Sequence, residues 1–357
     1  MSTQVTEGQV NSQDSAPEAP ATISVMGVGG GGCNAVMRTM RERSVPGVNF
    51  ICVNTDVKSL GSVKGAKVFQ IGERLTHGLG AGGKPEVGTE AAETDRANLK
   101  QMIGHPDLIF ITAGMGGGTG TGAAPVVAEI AKKTGALVVG VVTTPFSWEG
   151  SRRLETAMAG VARLREKVDS LIIIHNERLL QLMGKDVPMS EALRRADEAV
   201  MYGVLSVAEL INVPGEINVD MADVKNIMTM PGRALMAIGE AQEPNGALEC
   251  AKIAVANPLL DMTLDGAHGV LFCVNGGPKL TLGEVNAAGE FISSKVSPQA
   301  TIFFGMVNNE KMVDRVRLTL IATGIPDAPT KSVGSTIWQT AQKASTATTV
   351  KPGTPRV

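Results

Sequence analysis

Read for the spacing of its apolar residues, the chain alternates between short apolar runs and longer stretches with helical periodicity. The runs Thr22–Met26, Asn49–Asn54, Leu108–Thr112, Ala136–Thr143 and Ser170–Ile174 predict strands, the most apolar of them buried on both faces. Between them, Asn34–Arg43, Ala91–Ile103 and Ser151–Val168 read as helices. Another helix follows the glycine-rich stretch after Leu108–Thr112, with Pro125 near its first turn. Val126, Val127 and Ile130 share one face of it, and Gly135 is its stop. Strands and helices alternating from Thr22 to Asn176 predict a doubly wound, mostly parallel α/β sheet.

Met189–Asn212 is a helix of another kind. Leu193, Ala196, Val200, Gly203, Val207 and Leu210 hold 3,4 spacing, and Val204, Ala208 and Ile211 widen the apolar face. A helix this long and apolar is expected to be central, packed by one domain and then by another. Beyond Ala222 the pattern changes to helices at Ala222–Met228 and Ala247–Ala256, then strands near Gly269–Val274, Thr301–Met306 and Arg315–Thr323. That predicts a smaller α+β C-terminal domain. The organisation read from the chain is therefore a doubly wound domain at 21–188, a central helix at 189–212 and a second domain at 213–325. Residues 1–20, with three acids and no base, predict a disordered acidic tail, and 326–357, rich in Pro, Ser and Thr, a short, mildly basic flexible one.

Composition narrows the setting. The chain has 357 residues, 43% of them hydrophobic, and a formal net charge of −2, which invites neither nucleic acid nor an anionic membrane. Its four cysteines lack C-x-x-C spacing and read as reduced thiols, and no stretch reads as a signal peptide or membrane span. A soluble, cytoplasmic protein without direct membrane insertion is expected. His77, His105, His175 and His268 have no metal-ligand spacing, so no resident metal site is predicted.

The chemistry lies in the glycine-rich stretches. Between the strand at Leu108–Thr112 and the next helix, Gly114, Gly116, Gly117, Gly118, Gly120 and Gly122 are interleaved with Thr119 and Thr121. Strand, glycine loop and helix suit phosphate: missing Cβ atoms let the backbone close on a ligand, and the helix N-terminus adds partial positive charge. No Lys-Ser or Lys-Thr follows, so this is no Walker A loop. The nearest match, Gly78–Lys84, puts Pro85 where a Mg2+-binding hydroxyl belongs, and Gly-Lys-Pro is not expected to open a P-loop helix. His77–Gly88 as a whole reads as a long loop that folds over the phosphates. Upstream, Gly27, Gly29 and Gly32 satisfy G-x-G-x-x-G, and Asp56 sits about where a ribose-binding acid would. By itself that pattern fits a dinucleotide oxidoreductase. The second phosphate loop favours a nucleoside triphosphate.

Two carboxylates three apart, Asp220 and Asp223, precede the helix at Ala222–Met228. They read first as N-cap and dipole partner, and alternatively as groups that orient a water or bind Mg2+. Nothing else near the glycine loops looks like a base, which suits phosphoryl transfer, a matter mainly of positioning and charge neutralisation. Glu149, Arg153, Asn176 and Asp197 are singly compatible with ordinary surface positions. Their shared place at strand carboxyl ends, or on the long helix beside them, points to ribose and base contacts.

Together these residues resemble the FtsZ family of tubulin-like bacterial cell-division GTPases over about Ile23–Gly324. The resemblance rests on AGMGGGTGTG (Ala113–Gly122), GVGGGGCNAV (Gly27–Val36), VNTD (Val53–Asp56), GLGAGGKPEVG (Gly78–Gly88), PFSWEG (Pro145–Gly150) and NVDMADV (Asn218–Val224). It implies GTP or GDP as ligand, Mg2+ with the nucleotide, and protomers stacked head to tail as a homopolymer, at a division-site ring or in another filament. On that likeness Gly29, Gly30, Gly31, Gly32, Gly116, Gly117, Gly118, Thr119, Gly120 and Thr121 cradle phosphates. Glu149 and Arg153 contact ribose or phosphate, Asn34, Asn176 and Asp197 read guanine, and Asn54 and Leu193 complete the nucleotide site. Asn218, Asp220 and Asp223 act in trans on a neighbour's GTP. The chain departs from the family pattern at Leu193, where a Phe usually stacks on guanine, at Trp148 for Phe, at His175 for Pro and at Lys84 for Asn. It also lacks an adaptor-binding peptide resembling DIPAFLRR, so recruitment by the usual C-terminal-peptide adaptors is not expected. These departures imply a short-tailed paralogue, with a full-length member of the family as a further partner. The alternative to a self-assembling GTPase is a nucleotide-binding protein that co-assembles with or regulates that member.

Overall fold

The computed structural model describes residues 21–42, 47–178, 187–213, 215, 217–242, 245–256, 263–309 and 312–326. The expectations for the tails, 1–20 and from 327 onward, lie outside the described residues. The first half runs β1 (Ile23–Val28), α1 (Gly29–Glu42), β2 (Val48–Asn54), α2 (Val57–Gly61), β3 (Lys67–Gln70), α3 (Glu73–Thr76), α4 (Pro85–Thr94) and α5 (Arg96–Ile103). It continues through β4 (Leu108–Gly114), α6 (Thr119–Lys132), β5 (Leu137–Thr144), a 3-10 turn at Ser147–Glu149, α7 (Ser151–Arg165) and β6 (Ser170–His175). After α8 (Met189–Asn212) and α9 (Met221–Met228) come β7 (Arg233–Gln242), α10 (Gly246–Val255), β8 (Gly269–Gly276), α11 (Leu282–Ser293), β9 (Thr301–Asn308) and β10 (Arg315–Ile325).

The strands form one ten-stranded sheet in the order β3-β2-β1-β4-β5-β6-β7-β10-β8-β9. From β3 to β6 every pairing is parallel. Successive residues of a strand face opposite ways, which explains the unbroken apolar runs. Ile23 and Val25 of β1 enter the core shared with α1 and α8, while Met26 and Val28 enter the one shared with α6 and α7. The order reverses at β1 and β4, the place where doubly wound sheets open a crevice beyond their carboxyl ends. A single pairing, Ile172 with Ala234, carries the sheet into β7. There β10 pairs antiparallel with β7 and β8, β9 pairs parallel with β8, and a separate core forms under α10 and α11.

The long helix has the boundaries its periodicity predicts, Met189–Asn212. At about 1.5 Å per residue its 24 residues span roughly 36 Å. Its first turns flank the carboxyl edge of the sheet, and at its far end Asn212 Nδ2 donates to the carbonyl of Ala21, just before β1, at 3.1 Å. The helix thus crosses the molecule against the direction of β1.

Several local expectations are corrected. α1 and α6 begin at Gly29 and Thr119, so Gly29–Gly32, Gly120 and Gly122 form helical first turns. Pro125 lies inside α6 and not in its opening turn. Glycine is a poor helix former, but contact overrides propensity here. A Cβ at Gly32 would stand 2.2 Å from the Thr112 carbonyl oxygen, and one at Gly122 would stand 2.0 Å from that of Pro85. Ala91–Ile103 is two helices broken at Asp95, and Pro85 does open α4, at a first-turn position that needs no N–H. The loop after His77 is correspondingly shorter. Strands β3 and β7 and helices α2, α3 and α11 were not anticipated. All four cysteines are buried free thiols.

Candidate functional site

At the carboxyl edge, a cleft of about 420 Å3 opens between the first turns of α1 and α6 on one side and the first turns of α8 on the other. Two helix N-termini meet at its floor. A Cβ on Gly29, whose φ is +74°, would stand 2.7 Å from the Gly120 nitrogen. Neither first turn carries an acidic residue, and α6 has no side-chain cap. Backbone N–H groups and helix-end charge therefore face the cleft, the arrangement that holds anions. Thr121 Oγ1 accepts from Gly116 N at 2.8 Å, and the Thr55 and Thr119 hydroxyls pair at 2.7 Å, which fixes the loop against its neighbours.

Two glycines identify the reserved space. Gly30 and Gly117 line the cleft, have unstrained backbone angles, and would meet nothing within 4 Å if given a Cβ. No packing neighbour and no positive φ accounts for glycine there; a methyl would project into open cleft. The same cleft holds an orphaned acceptor, Asn176 Oδ1, buried and without a hydrogen-bond partner. A polyphosphate ligand whose base reaches Asn176 fits both observations.

Of the residues singled out from sequence, Gly30, Gly31, Asn34, Asn54, Gly117, Gly118, Thr119, Gly120, Glu149, Arg153, Asn176, Leu193 and Asp197 line this cleft. Gly29, Gly32, Gly116 and Thr121 stand behind the lining and support it. Gly116, at φ +99°, leaves room for Arg153, whose side chain a Cβ would meet at 2.8 Å. Glu149 takes the Phe146 N–H at 2.9 Å and pairs with Arg153 at 3.1 Å. Leu193 is 42% exposed on the cleft wall. Sequence reading missed Arg38 and Ser59, while Gly80, Ala81 and Gly83, from the stretch read as a loop over the phosphates, line the cleft. Asp56 also lines the cleft, but its carboxylate is engaged in capping α2. The signal for Arg38 was its spacing, one helical turn beyond Asn34. Its guanidinium lies 3.0 Å from Asp197, whose carboxyl is pushed up to about 6 by burial against the opposing pull of Arg38.

Asn218, Asp220 and Asp223 do not line the cleft. They sit at the other end of α8, where Asp220 is the N-cap of α9 and accepts from Asp223 N at 2.7 Å. Asn218 accepts from Gly215 N at 2.9 Å. Desolvation and the neighbouring charge of Asp220 hold the Asp223 carboxyl above its ordinary value. Met306 N donates to the Ile217 carbonyl at 3.0 Å, tying this loop to β9.

The molecule is thus a doubly wound α/β protein with a phosphate-type cradle at its switch point. Residues 22–184 match the Tubulin/FtsZ family, GTPase domain, and residues 232–326 match the FtsZ family, C-terminal domain. Two FtsZ structures from M. jannaschii, a tryptophan-to-tyrosine point mutant and an empty dimer, are similar at 43% identity. Each superposes with a TM-score of 0.82 over 86% of this chain, covering 92% and 89% of the respective relatives. CetZ2 from Haloferax volcanii, solved as a GTPgS-bound protofilament, shares the fold at 22% identity. Its TM-score is 0.75, over 92% of this chain and 100% of that one. The chain belongs to the FtsZ family of tubulin-like GTPases.

Proposed function

We propose that this protein is a filament-forming GTPase whose active site is shared between protomers stacked head to tail. The observation that carries the reading is the separation of the cleft from the Asp220–Asp223 loop by the length of α8, roughly 36 Å. Neither can act on the other within one chain, while stacking along that axis would bring the loop of one protomer over the cleft of the next. The relatives solved as a dimer and as a protofilament are consistent with self-association.

In this reading the first turns of α1 and α6, with Gly116–Gly118, hold the phosphates. Glu149 and Arg153 meet ribose or phosphate, and Asn34, Asn176 and Asp197 read the base. The neighbour's Asp220 and Asp223 orient the attacking water, with Asn218 facing the nucleotide. Asp220 serves as cap and as catalyst at once. Mg2+ would enter with the nucleotide and neutralise phosphate charge. Among the described residues, no group of three or more His, Cys, Asp or Glu is arranged to hold a metal ion. Residues 21–188 would form the GTP-binding domain, 189–212 the connecting helix and 213–325 the activating domain. No helix among the described residues is long and apolar enough to cross a membrane. We place the protein in a cytoplasmic filament serving cell division or a related cytoskeletal role.

A second reading, co-assembly with or regulation of a full-length family member, is favoured by Leu193, whose exposed aliphatic side chain offers a base no aromatic face. The deciding experiment is GTP hydrolysis across a protein concentration series, with pelleting on the same samples. A threshold common to both supports self-assembly. A rate per molecule that stays constant on dilution refutes it, and tight GTP binding without threshold or pellet moves the case to the second reading.

A further inference from the structure

We propose that Arg38 is a positioning residue for base recognition: it holds the Asp197 carboxylate charged and turned into the cleft as an acceptor for guanine's two donors. The inference rests on the nucleotide-binding reading above and adds to it a residue and a protonation requirement.

The geometry comes from three elements. α1 carries Arg38 one turn beyond Asn34, α8 carries Asp197 one turn beyond Leu193, and Asn176 lies just past β6; all of them line the cleft. Arg38 Nη1 stands 3.0 Å from Asp197 Oδ2, yet that nitrogen is buried and makes no aligned hydrogen bond. The contact is therefore chiefly electrostatic. Asp197 retains its directional accepting capacity for a ligand, and Arg38 retains a donor.

The other charges around the cleft do not substitute for Arg38. On α8, Arg194 is engaged with Glu191 and Glu198. Arg153, which also lines the cleft, pairs with Glu149. Asp56, after β2, adds negative charge and is engaged in capping α2. At the end of β6, His175 Nδ1 bonds the Thr144 hydroxyl at 3.1 Å. Among the described residues, Arg38 is the one cation paired with Asp197.

Guanine offers an N1–H and a 2-amino group on one edge. An ionised carboxylate accepts from both, whereas a protonated one sets an O–H against a donor. Burial already favours the neutral form of Asp197, and Arg38 opposes it. Removing Arg38 would leave the neutral form dominant near neutral pH, so that guanine is refused until the pH rises.

The test is GDP binding measured from pH 5 to 9 on the full chain, with IDP in parallel. IDP lacks the 2-amino group, so the GDP-to-IDP ratio cancels the titration of the diphosphate itself. The wild-type ratio should fall as pH drops through about 6. Arg38→Gln should move that midpoint up by about one unit or more, and GDP affinity should recover toward wild type above it. Arg38→Lys, which keeps the charge, should retain most of the wild-type midpoint, and Asp197→Asn should show no midpoint. An equal loss at every pH in Arg38→Gln and Arg38→Lys would assign Arg38 a merely structural role and overturn the inference, as would an unmoved midpoint. Failure of the wild-type protein to bind GDP at any pH would instead overturn the nucleotide reading on which it stands.

Discussion

Gly30 and Gly32 are two residues apart in the first turn of α1, and the structure assigns them opposite reasons for lacking a side chain. A Cβ at Gly32 would stand 2.2 Å from the Thr112 carbonyl oxygen and 3.1 Å from the Gly27 carbonyl carbon. Both contacts are backbone, on adjacent central strands, and neither can rotate away. Relieving them requires moving α1 off the sheet by about 1 Å, at the upper end of overpacking costs or beyond, about 3 kcal/mol. For the roughly 280 described residues that lowers the melting temperature by about 5 °C. A Cβ at Gly30 meets nothing within 4 Å, and its backbone is unstrained. Gly30→Ala should leave stability unchanged or raise it by up to about 1 kcal/mol, through the better helix propensity of alanine.

Ligand binding should invert the order of damage. The Gly30 methyl occupies cleft space and holds a phosphate oxygen away from the backbone. Losing one charge-assisted hydrogen bond costs about 1.5–3 kcal/mol, a ten- to hundredfold weaker GDP affinity. Thermal unfolding without nucleotide and calorimetric titration with GDP separate the two effects. Gly30→Ala binding GDP as tightly as wild type would refute the cradle at α1. Gly32→Ala melting with wild type would refute the packing argument.

Three further outcomes are expected. Asp220→Asn, which keeps an accepting cap, should bind GTP normally and not hydrolyse it. Mixed with Asp197→Ala, which retains the acid loop, it should regain measurable GTPase activity, whereas a site complete within one chain would stay silent in the mixture. Leu193→Phe should tighten GDP binding about two- to tenfold, the worth of one aromatic contact, in equilibrium titrations. Glu129→Gln removes a carboxylate paired with Arg96, Lys133 and Lys167 and held at about 2, below its ordinary range, by those three cations. Because the pKa is lowered in the fold, the stabilisation is present at neutral pH and fades as pH falls from about 4.5 toward 2. Discounted for exposure it amounts to about 1 kcal/mol, so urea midpoints of variant and wild type should differ at pH 7 and converge in acid.

What was legible in the chain and what was not have a common physical cause. β1, β4, β5 and α8 announce themselves because burial alone decides their composition. A strand covered on both faces must be apolar throughout, and a central helix must be apolar on a wide face. β7 fails that test because buried residues of Arg233–Gln242 alternate with part-buried and exposed ones. β3 fails it because four residues at the sheet edge bury too little to leave a pattern. The starts of α1 and α6 were misplaced for a sharper reason. Glycine opposes helix when only the chain is considered, and Gly32, Gly120 and Gly122 are there for backbones that approach from elsewhere in the sequence. The glycine composition thus pointed to the stretches that line the cleft while hiding which glycines face its open space. Gly30 and Gly117 face open cleft, whereas Gly29, Gly32 and Gly116 serve the fold that holds it open. The same distinction applies to charge. An arginine on a helix face carries no mark of function until the partner from a distant helix is placed beside it, and Asp197 lies far along the chain from Arg38. Motif spacing therefore locates the glycine-lined part of the cleft, but the pairing of Arg38 with Asp197 emerges only when the tertiary structure brings the two together.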